Sequence, residues 1–267
     1  MESGRSAVRG ADLAYERRGA GPDLIWGHGL SMNRVSDAEM ALLDWDRIPA
    51  TVVRYDARGH GESQSTPTLS GYSWSELARD QLGLADALGI EAYVAAGASM
   101  GCGTALHAAV IAPGRVRALV LVIPPTAWEA RAAQAEQWAS SADIIENDGV
   151  EAVIAARAEL DPPDPYRGDD ARRERQAAAT RAWAPWRLAL VMRGAATADL
   201  PDRSDVATIA IPTLVLAWTG DPVHPVSVAR ELADLLPQSE LHVASTGSDL
   251  ESWSELTRTF LSGLARA

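Results

Sequence analysis

Two short segments of this chain could together run acyl-transfer chemistry. Gly97-Ala98-Ser99-Met100-Gly101 lies between an apolar run and a small-residue helical pattern. That is the setting of a nucleophile elbow, in which small neighbours let the chain turn sharply enough to present a serine at a helix start. The helix N-terminus behind Ser99 favours negative charge developing there. A glycine-bearing strand-to-helix turn without chemistry would carry the same five residues. Trp26-Gly27-His28-Gly29-Leu30 follows an earlier run, and its loop can offer the Leu30 N–H to pair with that of Met100 as an oxyanion hole. His28 reads as a structural or substrate-contacting residue rather than a proton carrier. Asp56-Ala57-Arg58-Gly59-His60-Gly61-Glu62-Ser63 reads as a tight loop pinned by Asp56 and Arg58, with His60 as scaffolding.

An acid is offered by Gly220-Asp221-Pro222-Val223-His224-Pro225. An Asp just past a parallel strand lies on the edge where α/β sheets bind ligands; a plain Asp-Pro turn is the alternative. His224 shares that edge. Nine Trp against one Phe is an unusual ratio, and Trp26, Trp128, Trp183, Trp186 and Trp218 fall beside the loops named above or in the stretch between them. As substrate contacts they imply a sizeable hydrophobic or aromatic small molecule; as packing they imply nothing. Trp74, Trp253, His107 and Cys102 read as packing.

These residues need a scaffold, and the hydrophobic pattern supplies one. Short runs at 23–26, 51–55, 93–96, 118–122, 213–218 and 240–243 read as strands, and amphipathic stretches at 73–88, 100–111, 226–235 and 250–265 as helices. This alternation predicts a mostly parallel sheet flanked by helices. Between Pro124-Pro125 and the strand at 213 the period is helical throughout, with helices near 127–146, 149–159, 169–184 and 186–196 broken by Asp161-Pro162-Pro163-Asp164-Pro165. The expected organisation is one α/β core, 1–124 and 209–267, with a helical cap at 125–208.

Composition narrows the partners. A net charge of −12 and a pI near 4.8 argue against a nucleic-acid binder and against attraction to an anionic membrane. All 24 basic residues are arginine, which removes lysine chemistry. The single Cys102 excludes an internal disulfide and suits a reducing cytoplasm, the expected location, as does a start without an apolar leader. No spacing suggests a metal site, a dinucleotide fingerprint or a phosphate loop, so no cofactor is expected.

With these motifs in place, the chain resembles the α/β-hydrolase superfamily. The resemblance rests on the His28-Gly29 loop, Asp56-x-Arg58-Gly59-His60-Gly61-x-Ser63, the Ser99 elbow and Ala112-Pro113-x-Arg115-Val116, and continues beyond the helical stretch. It implies the α/β-hydrolase fold, Ser99 as nucleophile, Leu30 and Met100 as oxyanion donors, and Asp221 as acid. It also implies a histidine after the last strand, where the chain instead reads Val243-Ala244-Ser245-Thr246-Gly247-Ser248-Asp249, with Ser248 in the histidine's place. Without a base, a serine hydroxyl is a poor nucleophile. Three readings follow: His224 substitutes; Ser248 marks a deliberate His-to-Ser variant; or the fold performs non-hydrolytic work such as cyclisation, dehydration, decarboxylation or lyase chemistry. Hydrolysis of a hydrophobic ester, thioester or lactone is the leading expectation, and a catalytically silent small-molecule binder a further alternative.

Overall fold

Strand-forming residues alternate between two faces, and each face finds its own core. In the computed structural model, which describes residues 1–264, the strands are β1 (Glu2–Val8), β2 (Ala11–Gly19), β3 (Asp23–Gly27), β4 (Thr51–Tyr55), β5 (Tyr93–Ala98), β6 (Val116–Val122), β7 (Thr213–Trp218) and β8 (Ser239–Ala244). They form one sheet in the order β1-β2-β4-β3-β5-β6-β7-β8. The β1–β2 and β2–β4 pairings are antiparallel, and all those from β3 to β8 parallel. The antiparallel pair β1–β2 was not among the expected elements. The sheet itself is as the resemblance implied.

The helices are α1 (Arg34–Met40), α2 (Trp74–Ala87), α3 (Met100–Ile111), α4 (Arg131–Asp148), α5 (Val150–Ala158), α6 (Asp170–Arg181), α7 (Pro185–Ala196), α8 (Arg203–Val206), α9 (Val226–Leu235), α10 (Gly247–Glu251) and α11 (Trp253–Leu264). Ile25, Val53, Ala95, Leu119, Leu121 and Val215 point to the face covered by α2, α3 and α9. Leu24, Trp26, Val52, Val120, Val122, Leu214 and Leu216 point the other way, where Trp45, Trp253 and Leu261 cover them. This is the period-2 alternation of a sheet buried on both sides. Each such aliphatic side chain contributes about 1.5–3 kcal/mol on full burial. The single last helix expected at 250–265 is two: α10 starts at Gly247, where Thr246 and Asp249 form a reciprocal capping box, and α11 follows from Trp253.

Between β6 and β7 the described residues are helical or irregular. Helix α7 is docked on the sheet's loops: Arg187 donates to the Gly61 and Ser63 carbonyls, and Gly194 packs against Tyr72 with no room for a side chain. The buried Arg131 donates to the Ala195 carbonyl at the C-terminus of α7 and to the Ala198 carbonyl just beyond it. Helix α6 lies against α1, beside the loop that follows β3.

Candidate active site

Three glycines make the elbow possible. Gly27 pairs with Gly97 across β3 and β5. A Cβ on Gly97 would stand 2.6 Å from the Gly101 backbone, and one on Gly101 would strike the Gly27 carbonyl. Gly97 and Gly101 therefore leave no room for a side chain where the chain reverses into α3, and Gly27, whose Cβ would lie 3.1 Å from Gly101 Cα, leaves little. The residue at the apex, Ser99, takes φ 51° and ψ −110°, a conformation that side chains disfavour. It is held by its N–H on the Val122 carbonyl at 3.0 Å and by the Cys102 N–H on its own carbonyl at 2.8 Å. The hydroxyl is thereby presented, half-buried, at the first turn of α3.

The loop after β7 supplies the rest. Pro222 has no N–H to place, and Asp221 curls the loop by accepting the Val223 N–H at 2.9 Å and the His224 N–H at 3.3 Å on Oδ1. Its other oxygen, Oδ2, accepts Trp218 Nε1–H at 2.8 Å and lies 2.7 Å from His224 Nδ1. His224 Nε2 stands 2.8 Å from Ser99 Oγ. Burial pushes the Asp221 carboxyl up, but its bond to His224, the imidazole's charge and the Trp218 and Val223 N–H groups outweigh that and bring it down to about 2. A carboxylate facing Nδ1 holds the proton there and turns the Nε2 lone pair toward the serine.

The loop after β3 sits opposite. His28 is buried; its Nε2 accepts the Ala57 N–H at 3.0 Å, so its Nδ1 carries the proton and donates to the Gly29 carbonyl at 2.8 Å. Burial, chiefly, lowers its pKa to about 4. His60, 4.9 Å from His28 between ring centroids, lies with Nε2 2.8 Å from the Leu30 carbonyl. Burial, then the neighbouring His28, lowers it to about 3, so the ring is neutral and one of its nitrogens donates. The first-turn N–H of Met100 has no intrahelical acceptor.

Of the residues singled out from sequence, Ser99, Asp221 and His224 come together, with Met100 at the start of α3 and Leu30 on the loop after β3. Ser248 does not join them. It is exposed on α10, its hydroxyl paired with that of Thr246 at 2.9 Å. The segment Pro163–Tyr166 fills the space between: the Asp164 N–H meets the Thr219 carbonyl at 2.9 Å, Tyr166 stands edge-on to Trp218, and the Pro165 carbonyl faces Gly247. The expected substrate contacts need correction. Trp26 faces the far side of the sheet, bonding Asp37 and Trp45's ring edge, because period-2 alternation turns it away from the loop it precedes. Trp218 is buried with its N–H spent on Asp221, and both His28 nitrogens are spent on backbone. Trp128 bonds the Pro201 carbonyl beneath Arg203, and Trp186 is 59% exposed. Trp183 alone reaches the loop after β3, donating to the Ser31 carbonyl at 3.2 Å, edge-on to His60.

Sequence reasoning missed Tyr166 and Arg172. The Arg172 guanidinium stacks 3.6 Å from the Tyr166 ring centre and 5.6 Å from that of Trp218, whose other neighbour is the stacked Trp253. Nothing in the sequence ties α6 to a loop so far along the chain. Among the described residues no group of three or more His, Cys, Asp or Glu could hold a metal ion, and no helix is long and apolar enough to cross a membrane.

Comparison with known proteins places this geometry in context. A family model described as alpha/beta hydrolase fold matches residues 24–148. The chain is 30% identical over 223 residues to a Variovorax paradoxus (strain S110) protein that bears a carbamate hydrolase name, spanning 80% of this chain and 81% of that one. It is 28% identical over 215 residues to 3-oxoadipate enol-lactonase 1 of Acinetobacter baylyi, with 78% and 76% covered. Of one longer curated relative the chain spans only 30%. A solved hydrolase from Pseudomonas aeruginosa superposes with a TM-score of 0.79 at 28% identity, covering 99% of this chain and 98% of the other.

Proposed function

The chain belongs to the α/β-hydrolase family, and on that premise we propose that it hydrolyses a carboxylic ester, thioester or lactone through a Ser99–His224–Asp221 triad whose histidine has moved onto the acid's own loop. The observation that carries the proposal is the pair of contacts made by one imidazole, 2.8 Å to Ser99 Oγ and 2.7 Å to Asp221 Oδ2. Both lie within the reach that proton transfer requires. The helical segment 125–208 acts as a cap, with α6 held by Arg172 stacked on Tyr166 beside Trp218 at its start and by Trp183 on Ser31 just past its end.

In this reading Ser99 Oγ attacks the substrate carbonyl carbon while His224 Nε2 takes its proton. The carbonyl oxygen becomes an oxyanion that accepts the Leu30 and Met100 N–H groups, an interaction for which one donor is typically worth about 3–4 kcal/mol. The imidazolium, stabilised by Asp221, returns its proton to the leaving alcohol or thiol. Water then attacks the acyl-enzyme with His224 again as base, releasing the acid and restoring Ser99. The Met32 side chain lies beside Gly29 on the loop that carries Leu30, and an apolar side chain there suits a hydrophobic substrate.

A fluorophosphonate probe tests the assignment. Stoichiometric labelling of Ser99, with hydrolysis of p-nitrophenyl butyrate that Ser99→Ala lowers by about three orders of magnitude or more, is expected. Unchanged turnover in Ser99→Ala would end the covalent mechanism. Absence of both labelling and turnover would leave the fold to binding or to non-hydrolytic chemistry.

A further inference from the structure

Trp183 belongs to the helical segment, at the junction of α6 and α7, yet its indole N–H reaches the loop that carries Leu30. What it touches there is one end of a chain of peptide groups. The Ser31 carbonyl and the Met32 N–H are two ends of the same planar, trans peptide. The Met32 N–H donates to the Gly29 carbonyl at 3.1 Å. The Gly29 carbonyl and the Leu30 N–H are in turn two ends of the next peptide in the relay. Fixing a carbonyl in a rigid plane fixes the N–H opposite it, and accepting a hydrogen bond at the carbonyl makes that N–H a stronger donor. The Gly29 carbonyl has a second donor, His28 Nδ1–H at 2.8 Å, so the final plane is held from two sides.

We infer that Trp183 is a positioning residue for the oxyanion hole: its N–H, relayed through the Ser31–Met32 and Gly29–Leu30 peptides, sets the direction and donor strength of the Leu30 N–H. The inference rests on the proposed acyl transfer at Ser99. It makes the helical segment more than a wall over the site, because a contact from the α6–α7 junction is transmitted to a group that acts only on the charged intermediate. Trp183 is buried and its backbone is pinned by its own N–H on the Thr180 carbonyl at 3.2 Å, so the indole arrives from a fixed base. The His60 ring, edge-on at 5.3 Å, closes the third side.

Two substitutions separate the N–H from the ring. Trp183→Phe keeps an aromatic ring and removes the donor. Trp183→Gln removes the ring and keeps an N–H the same number of bonds from Cα. With concentrations set by fluorophosphonate titration of Ser99, Trp183→Phe is expected to lower kcat for p-nitrophenyl butyrate about five-fold with KM unchanged, the size of one ordinary hydrogen bond. Affinity for an alkyl trifluoromethyl ketone, which forms an oxyanion on Ser99, should fall by the same factor, and Trp183→Gln should stay within two-fold of the parent. Unchanged kcat in Trp183→Phe overturns the inference, as does a rise in KM alone or an equal loss in both variants, which would make the ring the active part. Full activity in Ser99→Ala would instead overturn the underlying reading.

Discussion

Asp221 and His224 lie three residues apart on one loop, joined Oδ2 to Nδ1 at 2.7 Å, while the same carboxylate binds the backbone N–H groups of Val223 and His224. On the proposed assignment, acid and base are therefore a single local unit. Their mutual geometry depends on one Asx-type turn and on Pro222, while the contact from Nε2 to Ser99 and the Thr126 N–H on the Val223 carbonyl tie the loop to other chain segments.

His224→Gln should lower turnover of an aryl ester by about three orders of magnitude, with the fold intact. Adding Ser248→His should not restore it, because Pro165 and Tyr166 stand between that loop and the acid loop. Steady-state rates of the single and double variants check this. Recovery in the double variant would show that the loop after β8 still reaches Ser99.

Trp218→Phe removes the indole donor from Asp221 Oδ2 while keeping an aromatic ring against Trp253 and Tyr166. A hydrogen bond to a charged group is worth about 1.5–3 kcal/mol, so kcat should fall at least ten-fold with little change in KM. A KM effect alone would reassign Trp218 to substrate contact.

Asp221 also predicts an acid-side loss of stability. Its carboxyl is depressed from 3.8 to about 2 in the folded chain, so the stabilisation, about 2 kcal/mol, is fully present above pH 4 and vanishes as pH falls through 2. The Tm gap between the parent and Asp221→Asn should be widest near pH 6 and narrow toward pH 2. A constant gap would contradict the assignment.

Asp37 behaves in the opposite sense. Burial pushes its carboxyl up to about 7 against the opposing Trp26 N–H and Arg54. The folded state then holds a proton that the unfolded chain releases, and this stability is complete below pH 4 and lost as pH rises through 7. Asp37→Asn, neutral throughout, should raise Tm at pH 8 by about 5 °C or more relative to its effect at pH 4. Equal shifts at both pH values would rule this out.

Much of the scaffold was legible because its signals are local. The expected helices at 100–111 and 226–235 coincide with α3 and α9, and the parallel strands fall where apolar runs stand between turns. The β1–β2 hairpin escaped because Glu2-Ser3-Gly4-Arg5-Ser6-Ala7 is small and polar, and its strands are defined by pairing rather than by an apolar stripe. Its turn at Arg9-Gly10, with φ of 46° and 79°, was the available cue. At the site, motif spacing indicated Ser99 and Asp221. His224 stayed contested because spacing alone does not say whether a loop folds back on its own carboxylate. Trp26 was misread because proximity in sequence to a loop does not say which face of the sheet a side chain takes, and Trp218 because spacing does not show that its N–H is spent on Asp221.

Placing acid and base on one turn has a further consequence for the rest of the polypeptide. On the proposed assignment every reacting side chain lies between Ser99 and His224, so the loop Ser245–Asp249 carries no chemistry and is open to drift, insertion or fusion. What the later chain still owes the reaction is support: β8 pairs with β7 up to Trp218, the Thr219 N–H meets the Ala244 carbonyl, and Trp253 stacks against Trp218. A circular permutant opened in that loop would keep all of the reacting groups in one uninterrupted stretch.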